Sequence, residues 1–182
     1  MSYNEIIFYY YGRIRHMYHY YISYNEFSAS NIIDNIYIGN VYDAHNIDKL
    51  NDLNIKHIIS AVTGFDDIYD DTFSHLCLNL IDNESQNILR YFDITYHYID
   101  NIITKNISSA SEKNKQKILI HCICGVSRSV TILLAYIIKK YNYKPAYALE
   151  LVKKKRNIAN PNPNFMKQLE LYYQSCHNEN KY

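Results

Sequence analysis

Thiols, a glycine, an arginine and two hydroxyls are packed into His121-Cys122-Ile123-Cys124-Gly125-Val126-Ser127-Arg128-Ser129. The tract joins the apolar run Ile118-Leu119-Ile120, the pattern of a short buried strand, to a segment from Val126 to Tyr141 that reads as a helix with a wholly apolar middle. A strand-to-helix turn of this kind is an anion cradle. Its successive N–H groups point inward and the helix N-terminus adds its positive end, so main chain alone can hold a dianionic phosphate. Gly125 lets the loop curl that tightly. Arg128 offers a planar fork for two phosphate oxygens at once, a geometry lysine lacks. The same positive field acts on Cys122, depressing its pKa and making it a thiolate nucleophile at neutral pH. Ile123, Cys124, Gly125, Val126, Ser127 and Arg128 are therefore the expected phosphate-binding set. A cysteine closing an apolar strand is most often only a small buried hydrophobe; the glycine, arginine and helix that follow favour chemistry here.

These residues need a scaffold, and the rest of the chain reads as one. Asn31 to Gly39 contains two short β-prone runs with Asp34-Asn35 as the turn between them. Asp43 is placed to cap a helix carrying Ile47, Leu50 and Leu53 on one face, and His57 to Val62 reads as a buried strand. An acidic loop (Asp66, Asp67, Asp70, Asp71) leads to a further strand, His75 to Leu80, so that Asp82 lies in a loop just past a strand end, where α/β enzymes place reactive groups. Apolar residues recur at helical spacing from Ile88 to Ile107, with Asp93 and Asp100 expected on its solvated face. Ser108 to Lys117 reads as a surface loop. Pro145 and Pro163 open two more helices at their first turns, and Lys153-Lys154-Lys155-Arg156 reads as a solvated helix end. Alternating strands and helices imply an α/β fold with a mainly parallel central sheet flanked by helices.

Composition removes other classes of function. The 182 residues suit one core, and 48% hydrophobic against 20% charged residues excludes global disorder. With 19 Lys and Arg against 18 Asp and Glu, the net charge of +1 argues against a broad nucleic-acid surface. The longest apolar runs fall short of the roughly 20 residues of a spanning helix, so no membrane partner is expected. Four cysteines without a leader suggest reduced thiols in the cytoplasm. A zinc site from Cys77, His121, Cys122 and Cys124 lacks the paired ligand spacing that closes a tetrahedron, and neither metal nor cofactor is expected. Eight of the 21 tyrosines fall in residues 1–28, which read as a helical extension too aromatic to be left in water.

The motif H-C-x-x-G-x-S-R-S resembles the cysteine-dependent protein tyrosine phosphatases, and its full form resembles their dual-specificity branch. Ile36-Tyr37-Ile38-Gly39 followed by Ala44, the pair Ala135-Tyr136, and Asn160-Pro161-Asn162 with Phe165, Gln168 and Leu169 are similar to that branch in the same order. The resemblance implies the cysteine-dependent phosphatase fold over 29–176, with an extension at 1–28 and a tail at 177–182. It implies Cys122 as nucleophile, Arg128 as phosphate clamp, Ser129 as a hydroxyl assisting thiolate and intermediate, and Asp82 as general acid. The reaction would be hydrolysis of phosphotyrosine and phosphoserine/phosphothreonine in protein substrates through a phosphocysteine. The same chemistry on a phosphoinositide or an RNA 5′ end, or a phosphoprotein-binding module, stand as alternatives. Cys124 occupies a position where the family more often has Ala, and the stretch from Asp82 to Cys122 is longer than usual, the excess falling in the Ser108–Lys117 loop. Compact viral members of the family, which this chain resembles in size, suggest a homodimer through the N-terminal extension. Cys124 and, as the better geometric candidate on a neighbouring strand, Cys77 are potential resolving thiols for an oxidised Cys122.

Overall fold

Ile118, Leu119 and Ile120 are all fully buried because their strand lies at the centre of a sheet covered on both faces. In the computed structural model, which describes residues 27–64, 69–107, 111 and 115–179, β1 (Ser30–Ile33), β2 (Ile36–Gly39), β3 (Ile55–Ala61), β4 (Ser74–Leu78) and β5 (Lys117–His121) are arranged in the order β1-β2-β5-β3-β4. Only the β1–β2 pair is antiparallel; β2–β5, β5–β3 and β3–β4 are parallel. Asp34 and Asn35 make the expected two-residue turn, both at positive φ (47° and 67°) as such hairpins demand.

Period-2 alternation sends Ile36, Ile38, Ile59, Ala61, Ile118 and Ile120 to one face, and Tyr37, Ile58 and Leu119 to the other. Ile55 joins Ile58 on the second face because a register shift between Ile55 and His57 absorbs one residue. The first face carries α3 (Phe92–Ile107), α4 (Arg128–Tyr141), α5 (Pro145–Lys155) and α6 (Pro163–Glu179); the second lies under α1 (Val41–His45) and α2 (Ile47–Asp52).

Several local expectations hold and some are corrected. Pro145 and Pro163 stand at the first residues of α5 and α6. A 3₁₀ turn, Leu89–Tyr91, precedes α3. Thr95 takes the inward position there while Ile94 faces out, since the Thr95 hydroxyl donates to Tyr91 O (2.8 Å) and loses nothing on burial. Asp93 and Asp100 lie on the outer face of α3, where Lys139 (2.6 Å) and Lys140 (2.7 Å) of α4 meet them. Asp43 does not cap the helix of Ile47, Leu50 and Leu53. It is the third residue of α1 and closes a capping box with Asn40, whereas α2 is capped by Asn46. The break at Asn46 divides the segment into two short helices, and only Leu50 of the trio is fully buried. Asn106 donates to Gln116 O (2.7 Å) and accepts from Gln116 N (2.9 Å), fastening the two ends of the expected surface loop. Of the Tyr-rich extension only Phe27 and Ser28 are among the described residues; α6 continues to Glu179. No helix among the described residues is long and apolar enough to cross a membrane.

Candidate active site

β5 ends at His121, α4 begins at Arg128, and the six residues between them form a loop whose carbonyls are anchored from outside. Val41 N donates to Ile123 O (3.2 Å), Arg156 Nε to Gly125 O (2.8 Å) and Asn160 N to Val126 O (2.8 Å). With the oxygens turned outward, amides are left facing in. Gly125 N donates to Cys122 Sγ at 3.2 Å, and the Ser129 hydroxyl lies 3.3 Å from the same sulfur. Gly125 has φ = 66°, and a Cβ there would meet Gly39 O at 2.5 Å and Arg156 Nη2 at 2.6 Å, so no other residue fits.

Cys122 is fully buried, which alone would raise its pKa; the Ser129 hydroxyl and amide, Arg128 and the Val126 amide outweigh burial and bring the thiol below its ordinary value. Arg128 is held by Nη1 donating to Leu80 O (3.0 Å), with Nε 3.7 Å from Asp82 Oδ2. Asp82 Oδ1 accepts from Ser127 Oγ (2.9 Å) and Asn162 Nδ2 (2.8 Å). The loop bearing Asp82 is tied to α6 by Gln168, whose Oε1 accepts from the Ile88 and Leu89 amides (2.8 and 2.9 Å) and whose Nε2 donates to Gln86 O (2.8 Å). Strand, loop and helix thus gather Asp82, Cys122, Ser127, Arg128 and Ser129 at one end of the parallel sheet, while Ile123 and Cys124 are exposed on the loop.

Beneath the loop, His121 is kept neutral by burial, its pKa near 3. Its Nε2 meets Ser60 Oγ at 2.6 Å.

Two expectations are corrected. Cys77 is not on a strand adjacent to β5: β3 intervenes, with Ser60 in register with both Cys77 and His121. Two strand spacings make about 10 Å, beyond the roughly 7 Å between Cα atoms that a disulfide spans. Arg156 does not share the solvated role of Lys153, Lys154 and Lys155. It is 5% exposed, donating to Gly125 O and to Ser28 O (3.0 Å); burial lowers its pKa, opposed by Asp43 and Cys122. The signal was present in the spacing, since Arg156, the C-cap of α5, follows Ala148 and Val152 of its buried stripe at the same interval of four residues.

The geometry has a counterpart among known proteins. Residues 36–175 match the model of the dual specificity phosphatase catalytic domain. The chain belongs to the dual-specificity phosphatase family. Within that family the phosphatase is 34% identical over 145 residues to the protein phosphatase Slingshot of Drosophila melanogaster, covering 80% of this chain but 13% of that protein. It is 34% identical over 146 residues to dual specificity protein phosphatase 1B of Arabidopsis thaliana, covering 80% of this chain and 82% of the relative. The Yvh1 phosphatase domain of Chaetomium thermophilum superposes with a TM-score of 0.71 at 30% identity, over 81% of this chain and 96% of the other.

Proposed function

We propose that the phosphatase hydrolyses phosphotyrosine and phosphoserine/phosphothreonine in proteins through a phosphocysteine at Cys122. The observation that carries this reading is the sulfur itself, buried at the base of the loop with the Gly125 amide donating to it at 3.2 Å and the Ser129 hydroxyl 3.3 Å away, an environment that favours the thiolate. Amides of residues 123–127 and the Arg128 guanidinium take the phosphate oxygens, and Sγ attacks phosphorus in line. The ester P–O bond breaks as Asp82 gives its proton to the departing oxygen. Water then attacks phosphorus, the P–S bond breaks, and the Asp82 carboxylate takes the water's proton as inorganic phosphate leaves. Ser129, beside the sulfur, donates to it as negative charge returns.

Protein substrates are favoured by the rim. No lysine lies in the loop, and Ile81, Ile123 and Ile158, 56%, 44% and 50% exposed, belong to the segments that frame it. Aliphatic surface there suits the side chains flanking a phosphoresidue better than a polyanionic headgroup. In the same reading the catalytic domain expected over 29–176 takes in Ser28, which is bonded to Asp43 and Arg156, and runs on to Glu179 at the end of α6; the extension before it joins two copies of the chain, and the protein works in the cytoplasm. Phosphate release from phosphotyrosine and phosphothreonine peptides, a phosphoinositide and a 5′-phosphorylated RNA tests the substrate class. Turnover of both peptides, abolished by Cys122→Ser, is expected; turnover of lipid or RNA alone overturns it. Light scattering on the full chain and on a chain starting near Asn31 tests the pairing, and equal monomer masses would end that idea.

A further inference from the structure

Asn162 stands between two of the chain's three prolines, in Pro161-Asn162-Pro163. A residue before proline is driven out of the helical region into extended backbone, as the position ahead of a helix requires, and Pro163 opens α6. Asn162 Oδ1 accepts from Phe165 N at 2.9 Å, capping that helix. A main-chain N–H can only donate, so it must meet the oxygen of the side-chain amide, and the amide nitrogen must point the other way. That nitrogen, Nδ2, donates to Asp82 Oδ1 at 2.8 Å. The Asn162 main-chain N–H donates to Ser127 Oγ (3.2 Å), which in turn donates to the same Asp82 Oδ1 (2.9 Å). The loop past β4, the loop past β5 and the start of α6 thus close a ring of three hydrogen bonds on one carboxylate oxygen.

We propose that Asn162 is a positioning residue for the general acid, fixing Oδ2 of Asp82 as the oxygen that gives and takes the proton. The inference rests on the assignment of Asp82 as that acid. Oδ1 has both lone pairs committed, to Asn162 and to Ser127, so the acidic hydrogen goes to Oδ2. Oδ2 is also the oxygen turned toward Arg128, 3.7 Å from an Nε that makes no hydrogen bond among the described residues. It therefore faces the phosphoryl group that Arg128 holds. As the ester P–O bond breaks, the Oδ2 hydrogen passes to the departing oxygen. As water attacks phosphorus and the P–S bond breaks, Oδ2 takes the water's proton. Asn162 and Ser127 keep their own hydrogens throughout. The Asp82 side chain is 32% exposed, and without the ring it would turn freely and present either oxygen; holding one orientation removes that loss before the reaction begins.

The test separates the helix cap from the donor to Asp82. Asn162→Ala removes both, while Asn162→Ser restores an oxygen for Phe165 N–H on a side chain too short to reach Asp82. In the full chain, Tm should fall in the Ala variant and recover in the Ser variant. By contrast, kcat/KM on phosphotyrosine and phosphothreonine peptides should fall about tenfold in both, the worth of one hydrogen bond to a carboxylate. Across a series of aryl phosphates that loss should shrink as the leaving phenol becomes more acidic and needs no proton. Added to Asp82→Asn, Asn162→Ser should cost nothing further. Recovery of rate together with Tm in the Ser variant, a loss that ignores the leaving group, or additive losses in the double variant overturns the proposal. Should Asn162→Ala not fold, the Ser and double variants decide it alone. If Asp82→Asn itself loses equally on good and poor leaving groups, the acid assignment is refuted instead, which keeps the two failures apart.

Discussion

The loop around Cys122 has a front and a back, and each is built on a buried arginine. At the back, Arg156 is committed: Nε and Nη1 are taken by the carbonyls of Gly125 and Ser28. At the front, Arg128 is only partly committed. One nitrogen is anchored on Leu80 O, while Nε makes no hydrogen bond among the described residues and has a carboxylate 3.7 Å away. The same side chain serves as a bracket where its Nε and a terminal nitrogen both go to carbonyls of the fold, and as a reagent-holder where Nε is kept for a ligand.

Substitution should separate the two. Arg128→Met removes charge from the front and is expected to lower kcat/KM by about 10³–10⁵, the range of arginines that stabilise phosphoryl transfer, with Tm little changed. Asp82→Asn should cost about 10²–10⁴ on phosphopeptides, less on esters of acidic phenols that leave without a proton. Equal losses on good and poor leaving groups would move the acid role elsewhere. Asp93→Asn, on the outer face of α3, should keep nearly full activity. Arg156→Met acts at the back. It orphans the buried Gly125 carbonyl at about 1–3 kcal/mol, so melting should fall first, with activity dropping about tenfold as the loop loosens. If Arg156→Met left Tm unchanged and abolished turnover, the contrast between front and back would fail.

The pH dependence of stability gives the smallest effect near neutrality and the clearest sign. His121 folds with a pKa near 3 against an ordinary 6.5. Between those values the unfolded chain binds the extra proton, so stability is intact above 6.5 and is lost progressively as pH falls toward 3. Scans of Tm against pH for wild type and His121→Asn should show the acid slope flattening in the variant. Cys122 acts with the same sign at higher pH, its lowered folded pKa making stability rise up to the unfolded thiol value near 8.5.

How much of this was legible in the sequence follows the range of the interactions. The cradle is contiguous, so residues 122–129 announce it, and the Asp34-Asn35 turn and both proline-opened helices are equally local. Asp82 was placed correctly past a strand end, though its partners Ser127 and Asn162 are 45 and 80 residues away. Strand order was not legible. β5 inserts between β2 and β3, and that choice rests on parallel pairings such as Ser60 with His121 rather than on any local pattern; Cys77 was misplaced for this reason. Arg156 was hidden by three lysines before it, a charge run that a one-dimensional reading averages over while the helix separates it by face. Asp43 was misread because an aspartate can serve a helix start either as the cap itself or, three residues in, as the side chain that accepts from the cap's N–H, and here Asn40 holds the first place.

The clasp that Asn106 makes on Gln116 has a consequence for engineering. Because both bonds go to one residue's main chain, the chain that departs after α3 is returned to β5 at a fixed point, whatever its length. Lengthening a closed loop twofold costs only about 0.6 kcal/mol. Residues 108–114 are therefore a graft point, where a reporter or a foreign docking peptide can be spliced into the phosphatase without retuning its sulfur.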